Sequence, residues 1–170
     1  PLPACAKGEN LMRYPYFHVP APAAPALSAS ERALTHKPDQ KLLELLLAAL
    51  RDETQAAAGY TALAQNAPAE AAALLLPLAA DELRHAAYLR ELYKTLTNQP
   101  APEAAPAVSP QPYTQENLRR RLPEEWEDAR NYRSLYLSFL NRDIRDVFFE
   151  LMTDEMLHGQ TLLHLLQQMK

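Results

Sequence analysis

The chain contains only one cysteine, Cys5, among its 170 residues. A single cysteine forms no intramolecular disulfide, and it supplies no cysteine cluster for an iron–sulfur or zinc site. Glycine is also scarce, with three residues, whereas a sheet protein of this length needs more glycines for its turns. These shortages exclude a disulfide scaffold and a cysteine-ligated metal cluster, and they favour a helical protein.

A strong excess of charge of one sign is missing as well. The net charge is −4 at pH 7, and acidic and basic residues are interspersed, so we expect no nucleic-acid partner and no membrane partner. The longest apolar stretches, such as residues 42–50, are far shorter than the about 20 residues that span a bilayer. We expect a cytoplasmic protein, and export stays an open alternative because the sequence begins at Pro1 rather than methionine.

Four segments carry apolar residues at alternating spacings of three and four, which predicts four amphipathic helices. We expect these helices over residues 38–66, 68–96, 114–140 and from about 141–143 to the C-terminus. Thr114 is the predicted N-cap of the third helix. Pro77 and Pro123 lie inside the second and third helices and are expected to bend them.

Two proline-rich segments divide the chain around these helices. Residues 1–37 show no helical or alternating period, so we expect an extended or disordered N-terminal segment. Residues 97–113 contain five prolines and are long enough to cross between two helical hairpins. The predicted organisation is one all-α four-helix domain over residues 38–170, preceded by the N-terminal segment.

Ionisable residues interrupt the middle of each apolar stripe. The second helix carries Asp-Glu-x-x-His and the fourth repeats it, and because residues three apart share one helix face, each motif presents an oxygen and a nitrogen ligand together. The first and third helices each carry a glutamate followed seven residues later by a tyrosine. The residues concerned are Glu53 and Tyr60, Glu82 and His85, Glu125 and Tyr132, and Glu155 and His158.

The two halves of the chain repeat one another. The glutamate and tyrosine of the first helix recur after 72 residues, and the Glu-x-x-His motif recurs after 73. A duplicated hairpin places its halves about a pseudo-twofold axis, and a two-metal centre on that axis takes equivalent ligands from each half. The candidate metal ligands are therefore Glu53, Glu82, His85, Glu125, Glu155 and His158.

A structural explanation of these residues has to be weighed against metal binding. A single glutamate in an apolar stripe can be ion-paired, and a single histidine is more often a hydrogen-bonded core residue than a ligand. Here four carboxylates and two imidazoles would lie at one depth of the bundle, where they repel each other and resist desolvation unless cations or protons neutralise them. Metal binding explains this arrangement better.

The duplicated pattern resembles the ferritin-like superfamily, and most closely the rubrerythrin-type di-iron domain, over residues 38–170. The resemblance implies two iron ions per chain, and hard oxygen donors with one imidazole per metal suit iron or manganese. By the same resemblance, Glu53 and Glu125 are terminal carboxylates and Glu82 and Glu155 bridging ones. His85 and His158 would each ligate one metal.

Residues around these ligands carry further predictions. The resemblance places an additional carboxylate of the third helix at Asp128, which is one methylene shorter than the family's glutamate. We expect Tyr60 and Tyr132 to donate hydrogen bonds to carboxylates of the partner helix, with plain packing as the alternative. Asp81 and Asp154 are expected to hydrogen-bond the histidine of the opposite helix, with a surface position as the alternative. Arg84, Glu124 and Glu127 are expected to face solvent.

The resemblance implies an oxidoreductase that oxidises ferrous iron with oxygen or peroxide, or reduces these oxidants. A full rubrerythrin carries a rubredoxin domain with four cysteines, and this chain has only Cys5, so an external electron-donor protein is expected. We also expect a homodimer. Two alternatives stay open, a dimanganese catalase-type enzyme and a non-enzymatic iron-storage or coat-type protein.

Overall fold

The computed structural model describes residues 39–103, 105–107 and 111–169. Within these ranges the chain forms four helices, α1 (Gln40–Gln65), α2 (Ala69–Thr97), α3 (Gln115–Ser138) and α4 (Arg142–Gln168), and no strand. The predicted all-α fold of four helices is confirmed. The prediction of an extended or disordered segment over residues 1–37 lies outside the described residues.

Side-chain caps set the beginning of three helices. The side-chain oxygens of Asp39, Thr114 and Asn141 each accept a hydrogen bond from a backbone N–H in the first turn of α1, α3 and α4. An oxygen in this position satisfies a backbone donor that has no partner within the helix, and the predicted N-cap at Thr114 is confirmed. Helices α2 and α3 run through Pro77 and Pro123 without interruption, so the bend expected at each stays a prediction.

The helices pair as two hairpins. Helix α1 packs against α2, α3 packs against α4, and contacts between α2 and α4 join the two pairs. The link after α2 is attached to α1, because the Gln55 side chain donates to the Ala107 carbonyl and accepts from the Ala107 N–H, both at 2.9 Å. Its described parts lead from one hairpin to the other, as the crossover prediction requires.

Two apolar clusters occupy the ends of the bundle interior. One contains Leu46, Leu50, Leu89, Phe148 and Leu151, and the other contains Leu63, Leu75, Leu118, Leu162 and Leu165. Burying a side chain of this size contributes about 1.5 to 3 kcal/mol, so the two ends stabilise the polar layer between them. None of the four described helices is both long and apolar enough to span a membrane.

Candidate metal centre

The layer between the two apolar clusters contains all six predicted ligands. Each of them is 0 to 3% exposed, and each of the four helices contributes from its middle: α1 and α3 one glutamate each, α2 and α4 a Glu-x-x-His pair. Their positions follow from the helical period, since the ligands occupy the same stripes as the buried leucines. The residues are Glu53, Glu82, His85, Glu125, Glu155 and His158.

These six residues form two interleaved ligand sets. Glu53, Glu82, His85 and Glu155 bring one donor atom each to within 4.8 Å of one another, and so do Glu82, Glu125, Glu155 and His158. Both sets contain the same two glutamates, one from α2 and one from α4. The shared glutamates are the pair that the resemblance makes bridging ligands, and each set has its own terminal glutamate and imidazole.

The two imidazoles lie next to each other in the same orientation. Their ring centroids are 5.8 Å apart, and the two ring planes are nearly parallel. Nδ1 of each ring faces the carboxylates. His85 Nδ1 lies 3.0 Å from Glu155 Oε1, and His158 Nδ1 lies 3.1 Å from Glu125 Oε2. Nδ1 is therefore the nitrogen available to a metal in both subsites.

The outer nitrogen of each imidazole faces an aspartate of the opposite helix. His85 Nε2 lies 3.2 Å from Asp154 Oδ2, and His158 Nε2 lies 3.5 Å from Asp81 Oδ2. This is the arrangement predicted for the two aspartates, although only the first distance is within hydrogen-bonding range. A carboxylate on the outer nitrogen fixes the tautomer that leaves Nδ1 free to bind a metal.

Arg84 links these two aspartates, and the prediction that it faces solvent is wrong. Its guanidinium contacts the Asp81 carboxylate and lies 2.7 Å from Asp154 Oδ2, so the side chain is half-buried between α2 and α4. The position 73 residues later is Leu157, so a single arginine serves both halves of the pseudo-symmetric site. Glu124 and Glu127 are exposed as predicted.

Replacing Arg84 with methionine should weaken metal binding without unfolding the bundle. Both aspartates would lose their cation, and each imidazole would be less firmly oriented, a change that typically costs about tenfold or more in metal affinity. Anaerobic metal titration would measure the loss, with Arg90→Met on the exposed face of the same helix as the control. Equal affinities in the two variants would contradict a role for Arg84 in orienting the imidazoles.

The two predicted tyrosines each connect the two hairpins through a hydrogen bond to a terminal carboxylate. The Tyr60 hydroxyl donates to Glu125, and the Tyr132 hydroxyl donates to Glu53, so each terminal carboxylate is held by the helix opposite to its own. The predicted hydrogen bonds to the partner helix are present. Both rings are almost fully buried, and burial together with the facing carboxylate raises the pKa of each phenol well above its usual value.

The site gathers more negative charge than its buried environment tolerates. Burial and a neighbouring carboxylate raise the pKa of Glu53 to about 8, and burial also raises the pKa of Glu125. Burial alone would lower the pKa values of His85 and His158, but hydrogen bonds to carboxylates raise both well above the usual value. Hydrogen bonds from the two histidines outweigh burial at Glu155 and lower its pKa. Without metal, protons therefore supply the charge compensation.

Metal ions would satisfy the carboxylate oxygens of this layer better than the surrounding side chains do. Within the described residues, Glu82 Oε1 and Glu155 Oε1 are buried, and each has an imidazole Nδ1 nearby, at 3.3 and 3.0 Å, without the geometry of a hydrogen bond. A buried carboxylate oxygen without a partner is costly, and a cation between the shared carboxylates would satisfy both. The arrangement can hold two metal ions, each with carboxylate oxygens and one imidazole.

Asp128 lies beside the site but belongs to neither ligand set. The side chain is half-buried, and burial together with the charges of Glu155 and Glu53 raises its pKa to about 8. The carboxyl group lines a cavity of about 370 Å³ between α1 and α3 that extends to Glu125. Asp128 therefore lies between the cavity and the ligand layer. Coordination of a metal by Asp128 stays a prediction.

Arg121 is a residue of the site that the sequence did not reveal. Its side chain is buried, its guanidinium carbon lies 5.3 Å from the centre of the Tyr60 ring, and it lines the same cavity. The structure buries Arg121 and leaves the apolar residue after it, Leu122, only half-buried. In the sequence, the signal for Arg121 was its position one helical turn before the candidate ligand Glu125.

Comparison with known families agrees with this geometry. A family model described as Rubrerythrin matches residues 44–166, a range that contains all six candidate ligands, both tyrosines and Asp128. Among curated proteins, none matches the chain. With four helices, two interleaved carboxylate and histidine ligand sets, and a match over most of its length, the chain belongs to the rubrerythrin family, a ferritin-like di-iron family.

Proposed function

We propose that the chain is a di-iron oxidoreductase that reduces hydrogen peroxide or oxygen with electrons from a separate donor protein. The observation that carries the proposal is the pair of ligand sets sharing Glu82 and Glu155. Shared carboxylates would hold two ions, and both ions could then act on one small molecule. Iron is the metal proposed because carboxylate oxygens with one imidazole suit iron or manganese, and the family is a di-iron family.

Two bound ferrous ions would supply the two electrons that hydrogen peroxide needs to become two molecules of water with two protons. The chain's own residues orient the ligands and handle the protons. Tyr60 and Tyr132 hold the terminal carboxylates. Asp154 holds the His85 imidazole, and Asp81 faces the outer nitrogen of His158. Asp128 has a pKa of about 8, which suits a group that exchanges protons near neutral pH.

Oxidation by peroxide should be much faster than oxidation by oxygen in the diferrous protein. The cavity beside Glu125 gives a small oxidant a path to the ligand layer, and Asp128 at this cavity can deliver a proton to the departing oxygen. Stopped-flow mixing of anaerobic diferrous protein with each oxidant would measure both rates. Asp128→Ala should slow the peroxide reaction by about tenfold or more, whereas exposed Glu127→Ala should not.

Equal rates with both oxidants, unchanged in Asp128→Ala, would contradict the peroxidase proposal and favour a ferroxidase-type reaction. Metal analysis of protein purified from its native host tests the choice of iron. A manganese-loaded protein that converts peroxide to oxygen and water without a donor would instead support the dimanganese catalase alternative.

A further inference from the structure

Arg121 is one of the charged residues that break the pseudo-symmetry of the metal centre. Arg121 lies four residues before Glu125 on α3, and the equivalent position four residues before Glu53 on α1 is Ala49. Residues four apart on a helix are neighbours on one face. Glu125 therefore has a buried cation one turn away, whereas Glu53 has the methyl group of Ala49 at the same position.

The two phenol–carboxylate pairs differ for the same reason. The Tyr60 ring lies under the Arg121 guanidinium, with the guanidinium carbon 5.3 Å from the ring centre. The Tyr132 ring instead stacks on Phe148, at a centroid distance of 6.1 Å. A cation over the ring polarises the phenol and makes its hydroxyl a stronger donor, so Tyr60 withdraws more electron density from Glu125 than Tyr132 withdraws from its partner.

The charge of Arg121 is only partly compensated. Glu124 is the carboxylate paired with it, at 3.3 Å, and the side chain of Glu124 is 46% exposed whereas that of Arg121 is 8% exposed. Within the described residues, Arg121 Nε is buried and has no hydrogen-bond partner. A buried guanidinium is weakly screened, so it also raises the electrostatic cost of placing a divalent cation nearby.

Gly59 makes this position of Arg121 possible. A Cβ atom added at Gly59 would overlap with Arg121 Nη2, so the guanidinium would have to move. The residue before Tyr60 therefore leaves the space that the guanidinium occupies. The equivalent residue before Tyr132 is Asn131, so this space is built into one half of the duplicated domain.

We propose that the two metal subsites differ in affinity, and that the subsite of Glu125 and His158 is the weaker and more readily exchanged one. The inference rests on the proposed two-metal function and adds an order of binding to it. The subsite of Glu53 and His85 fills first. The second subsite borders the cavity between α1 and α3, so its ion can be loaded and lost through that cavity.

Titration of the metal-free full chain with Co²⁺ under anaerobic conditions tests the proposal. We expect two binding steps whose dissociation constants differ by about tenfold or more, an effect of the size of one desolvated cation–π contact. Glu125→Gln should remove the weaker step, and Glu53→Gln should remove the tighter one. Equal affinities in the wild type, or loss of the tighter step in Glu125→Gln, would overturn the proposal.

Variants of Arg121 test the cause of the difference. Arg121→Met keeps the length of the side chain without its charge, and should tighten the weaker step about tenfold, whereas Arg121→Lys should preserve most of the gap. If Arg121→Met does not fold, Gly59→Ala displaces the guanidinium and should give the same result. An unchanged weaker step in a folded variant would overturn the assignment to Arg121. Absence of any Co²⁺ binding in the wild type would instead overturn the two-metal function itself.

Discussion

Replacing both shared carboxylates, in Glu82→Ala with Glu155→Ala, should abolish binding of both metal ions. Each of these glutamates belongs to both ligand sets, so the double substitution leaves each subsite with one terminal carboxylate and one imidazole. Two donors do not hold a divalent ion of this type against water. Metal content after anaerobic loading and desalting should fall from two ions per chain to none.

The double variant should still fold without metal. It removes two buried carboxylates, each with one oxygen that lacks a well-directed hydrogen bond within the described residues. The loss of their desolvation cost offsets part of the cavity that the substitution leaves. Glu44→Ala with Glu91→Ala is the matched control, because both glutamates are exposed and belong to neither ligand set. Two tightly bound ions in the Glu82 and Glu155 double variant would show that the ligand assignment is wrong.

The six candidate ligands could be predicted because they depend on local geometry. Glu-x-x-His places two donors on one helix face in any helix, and the 72- and 73-residue repeats indicate that two such helices face each other. In the structure, α1 buries Leu50 and Ala57, three residues before and four residues after Glu53, so the ligand lies at the centre of the apolar stripe.

Residues that act between hairpins were not predictable in the same way. The surface position expected for Arg84 follows from the helical period of α2 alone. Its contact with Asp154 depends on how closely α2 approaches α4, which no spacing within one helix encodes. The buried position of Arg121 depends on another contact between helices, because its guanidinium occupies the space that Gly59 leaves on α1. Charged side chains in contacts between elements are therefore the part of this site that the structure adds.

In the metal-free protein, protonation takes the place of metal in the ligand layer. The sequence predicts four carboxylates and two imidazoles at one depth of the bundle, where cations or protons have to neutralise the carboxylates. In the structure His85 and His158 each lie within 3.3 Å of carboxylates, and their pKa values are raised well above 6.5. The raised pKa values favour the protonated imidazoles in the metal-free protein, and their positive charge compensates part of the negative charge.

The metal-free protein should become more stable as the pH falls from about 8.5 to about 6. Glu53 has a pKa of about 8 in the folded chain against an ordinary 4.5, and the histidine values are raised in the same direction. A folded state that binds more protons than the unfolded state gains stability as the pH falls. The melting temperature should rise by several degrees, as expected for a change of a few kcal/mol in a domain of this size. Below about pH 4.5 the gain should end, because Glu155 and Asp81 have lowered pKa values.

The metal-loaded protein should show the opposite dependence on pH. Bound ions require deprotonated carboxylates and neutral imidazoles, so protons compete with metal and the melting temperature should fall between about pH 8.5 and about pH 6. Thermal unfolding of metal-free and loaded protein in parallel measures both slopes. Glu53→Gln should flatten the metal-free slope because it removes the carboxyl that titrates near pH 8, whereas Glu44→Gln, exposed on the same helix, should leave it unchanged. A metal-free melting temperature that falls steadily over this range would show that the ligand layer is not the crowded, proton-stabilised cluster described above.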